Sequence, residues 1–399
     1  MNDNRIIERL EHLLRRRVEG LACVRVTAAP GHVDTLLSGT ILAGVTRKVV
    51  SVNVRWAFAA TMAITAFAGT CVAAAPQYFG FSWVHNPSAV STPYSFTNID
   101  VRPVYVSDPA TKASGESQFL YESYGVCSIL GFNDFLFGED NTTAVPRSDA
   151  IQLFDAWWDG GVNHSTIRPP WVVAIWPADE ALLRCNGAQD ISGCLQPYLD
   201  FVSHIRDRVA GTGVLLVDSF DPITVSSGLF TQEADNLVNI GIRWFGYHQY
   251  WVLHPLTDAT YEANVQRVRQ IADQFRRQGY DTRFALVGDA FHDSAHTKVV
   301  GGTVLPWDWS DHRTVVDEDF QVACLNNAVA LILFNWPDFP GSGEENALGS
   351  VSFQDPAACW EACLGRFVKF GETTCSLCGG VPMPVGCRGS LVRRHLIRL

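Results

Sequence analysis

Residues 171–180 read WVVAIWPADE, and the layout returns four times: VLLVDSFD at 214–221, IRWFGYHQYW at 242–251, RFALVGDAF at 283–291 and VALILFNWPDF at 329–339. Each is a short apolar run that finishes in acidic, aromatic or amide residues. A strand covered on both faces reads as a continuous apolar run rather than an alternating one, as in a parallel sheet packed between helices. In such sheets the chemistry gathers where the strands end. The five runs therefore bear on fold and site together.

Helical patterns separate the runs at 195–209, 232–240, 258–278 and 315–328. The third is the clearest, with Tyr261, Val265, Val268, Ile271, Ala272 and Phe275 on one face and Gly279 as a stop. Upstream, YFGFSWVH at 78–85 and VCSILGFNDFLF at 126–137 predict two more strands, the second ending in Asn133 and Asp134, and 147–158 predicts a helix with Ser148 at its cap. Strands that alternate with helices form a parallel sheet, because parallel neighbours need crossovers. No Gly-rich phosphate turn follows an early strand, so an open dinucleotide-binding sheet lacks its signature. The expected fold is α/β, a (β/α)8 TIM-type barrel, with an eighth strand either near residue 100 or at 351–353.

The chain has 399 residues, 47% of them hydrophobic and 18% charged, enough for one large folded domain with extensions. The expected divisions are an N-terminal extension at 1–48, a signal peptide or signal anchor at 49–75, the barrel at 76–340 and a small Cys-rich appendage at 341–399. A formal charge of −11 argues against a nucleic-acid partner. No cofactor is expected.

Arg47, Lys48 and Arg55 precede the uncharged stretch WAFAATMAITAFAGTCVAAA at 56–75, which finishes in small residues before Pro76. That is the layout of an export signal, and its length also suits a single membrane span, with the barrel outside the cytoplasm in either case. The segment lies some fifty residues into the chain, so residues 1–48 are either a cytoplasmic piece or precede the true start. IIERLEHLL at 6–14 followed by an alternating stretch with Val24, Val26, Gly31, Val33, Leu37 and Gly39 faintly resembles the opening of a BON domain.

Eleven cysteines agree with export. Cys185 and Cys194 flank a short polar loop and are a reasonable disulfide pair. Cys359-x3-Cys363 followed by Cys375-x2-Cys378 has four-thiolate zinc spacing in a reducing compartment and reads as two disulfides in an oxidising one.

Side chains alternate along a strand, so Leu216 shares a face with Asp218, Val287 with Asp289, Leu333 with Asn335 and Gly246 with His248. If Leu216 points inward, Asp218 sits at the barrel rim. Two carboxylates across one cleft can divide acid and base roles. Asp218 and Asp289 are the leading pair, with Glu180 as the other candidate, and Asp221 and Asp338 lie just past their strands. Asp221 before Pro222 also reads as a helix cap, and Asp179 with Glu180 as the acidic opening of a helix. Trp176, Tyr247, His248, Tyr250, Asn335 and Trp336 are candidate substrate contacts.

Strands ending in VLLVDSFD, FGYHQYW and LILFNWPDF after an export signal resemble secreted glycoside-hydrolase barrels over residues 78–340. The resemblance implies an exported hydrolase of a polysaccharide or glycoconjugate that works by carboxylate acid/base chemistry. Two departures stand out. The retaining clan with glutamates after strands four and seven would place them near 218 and 338, where this chain has Asp, and the chitinase-type DxxDxDxE run is half met by Asp218 and Asp221. A non-catalytic carbohydrate-binding barrel is the alternative. A metal-dependent hydrolase is a second one, through Asp289, His292, Asp293 and His296, although its accompanying DxH and GNH elements are missing and no metal is expected.

Overall fold

Eight parallel strands close into a barrel, in the order β1-β10-β7-β6-β5-β4-β3-β2. They are β1 (Tyr78–Ser82), β2 (Ile99–Pro103), β3 (Cys127–Gly131), β4 (Val172–Trp176), β5 (Leu215–Phe220), β6 (Ile242–His248), β7 (Arg283–Asp289) and β10 (Ala330–Phe334). An antiparallel hairpin, β8 (Thr297–Val300) and β9 (Thr303–Pro306), rises between β7 and β10. The computed structural model describes residues 75–82, 91–138, 145–161, 165–188, 190–248, 259–289, 297–334, 356–375 and 380–382. The BON-like stretch, residues 49–74 of the signal segment, Tyr250, His292, Asp293, His296, Asn335, Trp336, Asp338, Cys378 and Cys387 lie outside the described residues.

All five apolar runs are barrel strands, and the eighth strand is the one near residue 100. The run at 126–137 is divided differently from the expectation. Its strand stops at Gly131 and Asn133–Phe137 forms a helical turn, α3. The reason is burial: Phe132, Phe135, Leu136 and Phe137 all enter one apolar layer, which a helix allows and an alternating strand does not.

Side chains on the strands sort into two cores. Ile99, Val101, Ile129, Trp176, Val217, Trp244, Val287 and Ile332 fill the barrel interior. Phe79, Phe81, Leu130, Ile175, Leu216, Phe245, Leu286 and Leu331 face the helices. Each such side chain, removed from water, contributes about 1.5–3 kcal/mol before entropy is set against it.

The helices are α1 (Ser91–Tyr94), α2 (Ala110–Tyr124), α3, α4 (Ala150–Asp159), α5 (Ala181–Gly187), α6 (Ile191–Arg208), α7 (Pro222–Ser227), α8 (Leu229–Asn239), α9 (Ala259–Arg277), α10 (Trp309–Leu325) and α11 (Pro356–Phe370). Local chemistry fixes several starts. Asp221 accepts from Ile223 N at 2.7 Å and Thr224 N at 3.1 Å, with Pro222 in the first turn where no N–H is needed. Asp308 and Asp311 form a reciprocal capping box on α10. Helix α4 begins one residue after Asp149, and Ser148 does not cap it. Beyond residue 340 the fold continues: α11 packs on β1 and α10, and its Gly365 lies so close to Phe96 that a methyl group there would collide with the backbone.

Cys185–Cys194 is a disulfide between α5 and α6, with the Cα atoms 5.2 Å apart. Cys363–Cys375 is a second, tying α11 to the β11–β12 hairpin (Thr374–Cys375 and Val381–Pro382). Cys324 and Cys359 are also disulfide-bonded, and the Cys359 sulfur lies within 4.8 Å of those of Cys363 and Cys375. No described helix is long and apolar enough to cross a membrane.

Candidate active site

The C-terminal ends of the strands form the mouth of the barrel. A cavity of about 70 Å³ opens there, lined by Ser82, Pro103, Gly131, Asn133, Trp176, Asp179 and Phe334. Trp176 closes β4 at this level, as its place in the run at 171–180 suggests.

The side-chain phase of β5 is opposite to the one that would put Asp218 at the rim. Val217 lies in the inner core and Leu216 in the outer one, so Asp218 turns toward the helices. Leu216 and Asp218 do share a face, as strand alternation requires, but it is the outer one. Asp218 is fully buried, accepting from Tyr198 Oη and from Ser219 N, the latter at 2.8 Å. Burial pushes its carboxyl up to about 8, outweighing those two hydrogen bonds. It is therefore a neutral structural acid at mildly acidic and neutral pH. Tyr247 is likewise turned outward: it is buried, and its hydroxyl accepts from Asn264 Nδ2 at 3.3 Å, so no ring face is open for stacking. Asp221 caps α7, as the turn reading of that position holds.

The loop after β4 brings the charged groups to the mouth. Glu180 adopts a left-handed conformation, φ 51° and ψ 34°, unusual for a residue with a Cβ and a mark of local strain that surrounding structure must hold. Asp179 N donates to Asn133 Oδ1 at 3.1 Å, and Arg184 Nε donates to Asp179 O at 3.0 Å, which pins the loop from α3 and from α5. The Glu180 side chain remains 24% exposed, and its Oε1 lies 2.9 Å from Nε2 of buried His248 on β6. Burial works to raise Glu180, yet the hydrogen bond and charge of His248, with Arg184 behind them, hold its carboxyl below the ordinary value. Burial likewise works to lower His248, and the hydrogen bond and charge of Glu180 carry it above the ordinary imidazole value. The two form an ion pair.

Asp179 behaves differently from its neighbour. Burial, then the Glu180 charge, pushes its carboxyl up to about 6, against His248, Arg184 and the Ser219 hydroxyl. Two adjacent carboxyls are thus driven in opposite directions, one ionised and one ready to hold a proton, which is how environment divides acid from base. Across the mouth, Asp289 ends β7 in register with Phe334, which lines the cavity, and shares the inward phase of Ala285 and Val287.

Counting strands from the closed barrel revises the comparison with the retaining glycoside hydrolases. The strand at 99–103 is the second, so strands four and seven are β4 and β7, and the positions to compare are Glu180 and Asp289 rather than 218 and 338. Arg184 and Ser219 act on these acids without having been singled out from sequence, and Asp179 was read there only as the acidic opening of a helix. The one signal available for Asp179 was its place in the ADE ending of the first run quoted, once that run is numbered as the fourth strand.

No family model matches the chain, and no curated relative does. Among solved structures, the fold is similar to a glucosidase from Croceicoccus marinus, at 10% identity and a TM-score of 0.49, over 74% of this chain and 67% of that one. It is similar to the Penicillium canescens endo-1,4-β-xylanase XylE at 9% identity and a TM-score of 0.42, over 76% of this chain and 97% of that one. It is similar to the β-glucuronidase of Ruminococcus gnavus at 9% identity and a TM-score of 0.39, over 68% of this chain but only 46% of that longer protein. At this identity the likeness is one of fold alone, and the barrel itself rests on the strand pairing described above.

Proposed function

We propose that the protein is an exported hydrolase of glycosidic bonds in a polysaccharide or glycoconjugate. The observation that carries the reading is the pair of oppositely shifted carboxyls, Asp179 and Glu180, at the mouth of the barrel beside an open cavity. Asp179 is the general acid: it transfers its proton to the glycosidic oxygen as the bond to the leaving sugar breaks. Glu180, held ionised by His248, accepts the proton of the incoming water. Asp289 faces them from β7 and stabilises the positive charge that grows on the sugar ring in an oxocarbenium-like transition state. Trp176 and Phe334 supply apolar surface against which a sugar ring can lie. Export is supported by the signal-like segment at 56–75 and by the disulfides Cys185–Cys194 and Cys363–Cys375.

The test is turnover of a panel of polysaccharides and aryl glycosides by the full chain, read as reducing ends and as released phenol. Asp179→Asn should reduce turnover of unactivated glycosides by about 10²–10⁴-fold, the usual worth of a general acid. Wild-type turnover in both Asp179→Asn and Glu180→Gln would remove this site from the mechanism. Glycan binding without turnover would favour the non-catalytic barrel.

A further inference from the structure

A second histidine stands directly behind the mouth. His312, in the first turn of α10, is fully buried, and its Nε2 lies 3.0 Å from the backbone oxygen of Asp289, donating to it as the N–H tautomer. Glu361 of α11, also fully buried, places Oε1 3.9 Å from the same nitrogen. Among the described residues neither Glu361 oxygen has a hydrogen-bond partner. Two turns along α10, Asp319 accepts from Tyr261 Oη at 3.0 Å and presses on β7 at Gly288, where a methyl group would collide with its carboxyl. The last two residues of β7 are therefore held from behind, Gly288 by Asp319 and Asp289 by His312.

We propose that His312 and Glu361 are positioning residues for Asp289, with Glu361 acting through the imidazole that fixes the end of β7. The inference rests on the reading of Asp289 as the carboxylate facing the sugar ring. A strand end bonded by a buried side chain cannot swing with the loop that follows it, so the carboxylate keeps its place relative to β4. Besides His312, the titratable group that faces Glu361 is Asp319 of α10, which in turn faces Asp289 of β7, Tyr261 of α9 and Glu318. Burial, then the Asp319 charge, holds the Glu361 carboxyl well above the ordinary range. Burial, then the Asp289 charge, does the same to Asp319. Both shifts favour the protonated carboxyl. A neutral Glu361 leaves the imidazole bonded to the Asp289 carbonyl. An ionised one, 3.9 Å away, draws the imidazole toward itself.

The experiment uses the full chain and a nitrophenyl glycoside, whose leaving group departs without a proton, so that titration of Asp179 does not mask a second alkaline limb. His312→Phe should lower kcat about tenfold or more with KM unchanged, the scale of a small displacement of a catalytic group. His312→Gln, which keeps an N–H donor, should restore most of that loss. Glu361→Gln, which is permanently neutral, should keep kcat at pH 6 and lose the decline at high pH. A His312→Phe variant with wild-type kcat, beside an Asp289→Asn variant that has lost it, overturns the positioning role and leaves the proposed reaction standing. An Asp289→Asn variant with wild-type kcat overturns the role of Asp289 instead. Thermal melting across pH 5–9 gives a readout that needs no substrate: wild-type and Glu361→Gln curves of the same shape would overturn the protonated state on which the device depends.

Discussion

Two histidine–glutamate pairs stand within one barrel, and their glutamates are shifted in opposite directions. His248 and Glu180 meet at 2.9 Å with the carboxylate a quarter exposed, and there the glutamate falls below its ordinary pKa while the histidine rises. His312 and Glu361 stand 3.9 Å apart with both side chains wholly buried, and there the glutamate rises. Residue type is the same in both, so contact distance, water and the neighbours decide. Glu180 has Arg184 nearby and solvent on one side, whereas Glu361 faces another acid, Asp319. Desolvation prevails over Coulomb attraction when the partner is too far away to form a hydrogen bond. The mouth thus favours ionised groups, and the wall behind it favours neutral ones.

The comparison can be broken most sharply at Glu180. Glu180→Gln removes the ionised carboxylate and should cost about 10²–10⁴-fold in kcat, measured on the best substrate of the panel. His248→Gln is the next largest. Without the imidazolium, burial governs Glu180, so its pKa should rise and the acidic limb of the kcat/KM profile should move to higher pH by about one unit or more. In the wild type that limb lies below pH 4.5, the ordinary glutamate value, and the alkaline limb for unactivated glycosides falls near 6, where Asp179 loses its proton. A profile centred above pH 7 would contradict this assignment.

The closed pair responds in stability instead. Asp100 at about 7, Asp218 at about 8, and Asp319 and Glu361 all have folded values above their ordinary ones. Each binds a proton in the folded state that the unfolded chain has released, so stability is greatest below about pH 4 to 5 for these groups. It declines as pH rises through their folded values. Melting temperature should therefore be lower at pH 8 than at pH 5, and Glu361→Gln should gain most at pH 8. The smallest effect belongs to Asp218→Asn. The acid is already neutral at pH 6, so kcat should hold, and the amide, unable to accept from both Tyr198 and Ser219 N, should cost about 1 kcal/mol in denaturant unfolding.

The barrel was legible because its strands are long apolar runs whose burial on both faces leaves a composition no helix spacing imitates. Strand β2 was faint, since Asp100, Arg102 and Pro103 interrupt it, and overlooking its rank shifted the count of every later strand by one. That Asp218 shares a face with Leu216 was readable, but which face of β5 and β6 turns inward was not, because a strand apolar on both sides carries no mark of its inner face. Trp176 and Glu180 were readable at a strand end because the sequence places them there. Glu361 left a different trace: an acid between Trp360 and Ala362 on a helix otherwise buried through Cys363 and Leu364. Only the packing of α11 reveals what it faces.

The closing of the barrel places the first strand beside the last. Tyr78 pairs with Ala330, and the outer side of β1 is covered by α11, which begins at Pro356. A chain made from its N-terminus therefore emerges with Phe79 and Phe81 on a strand paired with β2 alone, lacking its second partner β10 and the cover of α11 until those segments are made. A chain stopped at residue 340 would have its barrel strands but leave the aromatic face of β1 without α11, for a chaperone or another unfinished copy to bind.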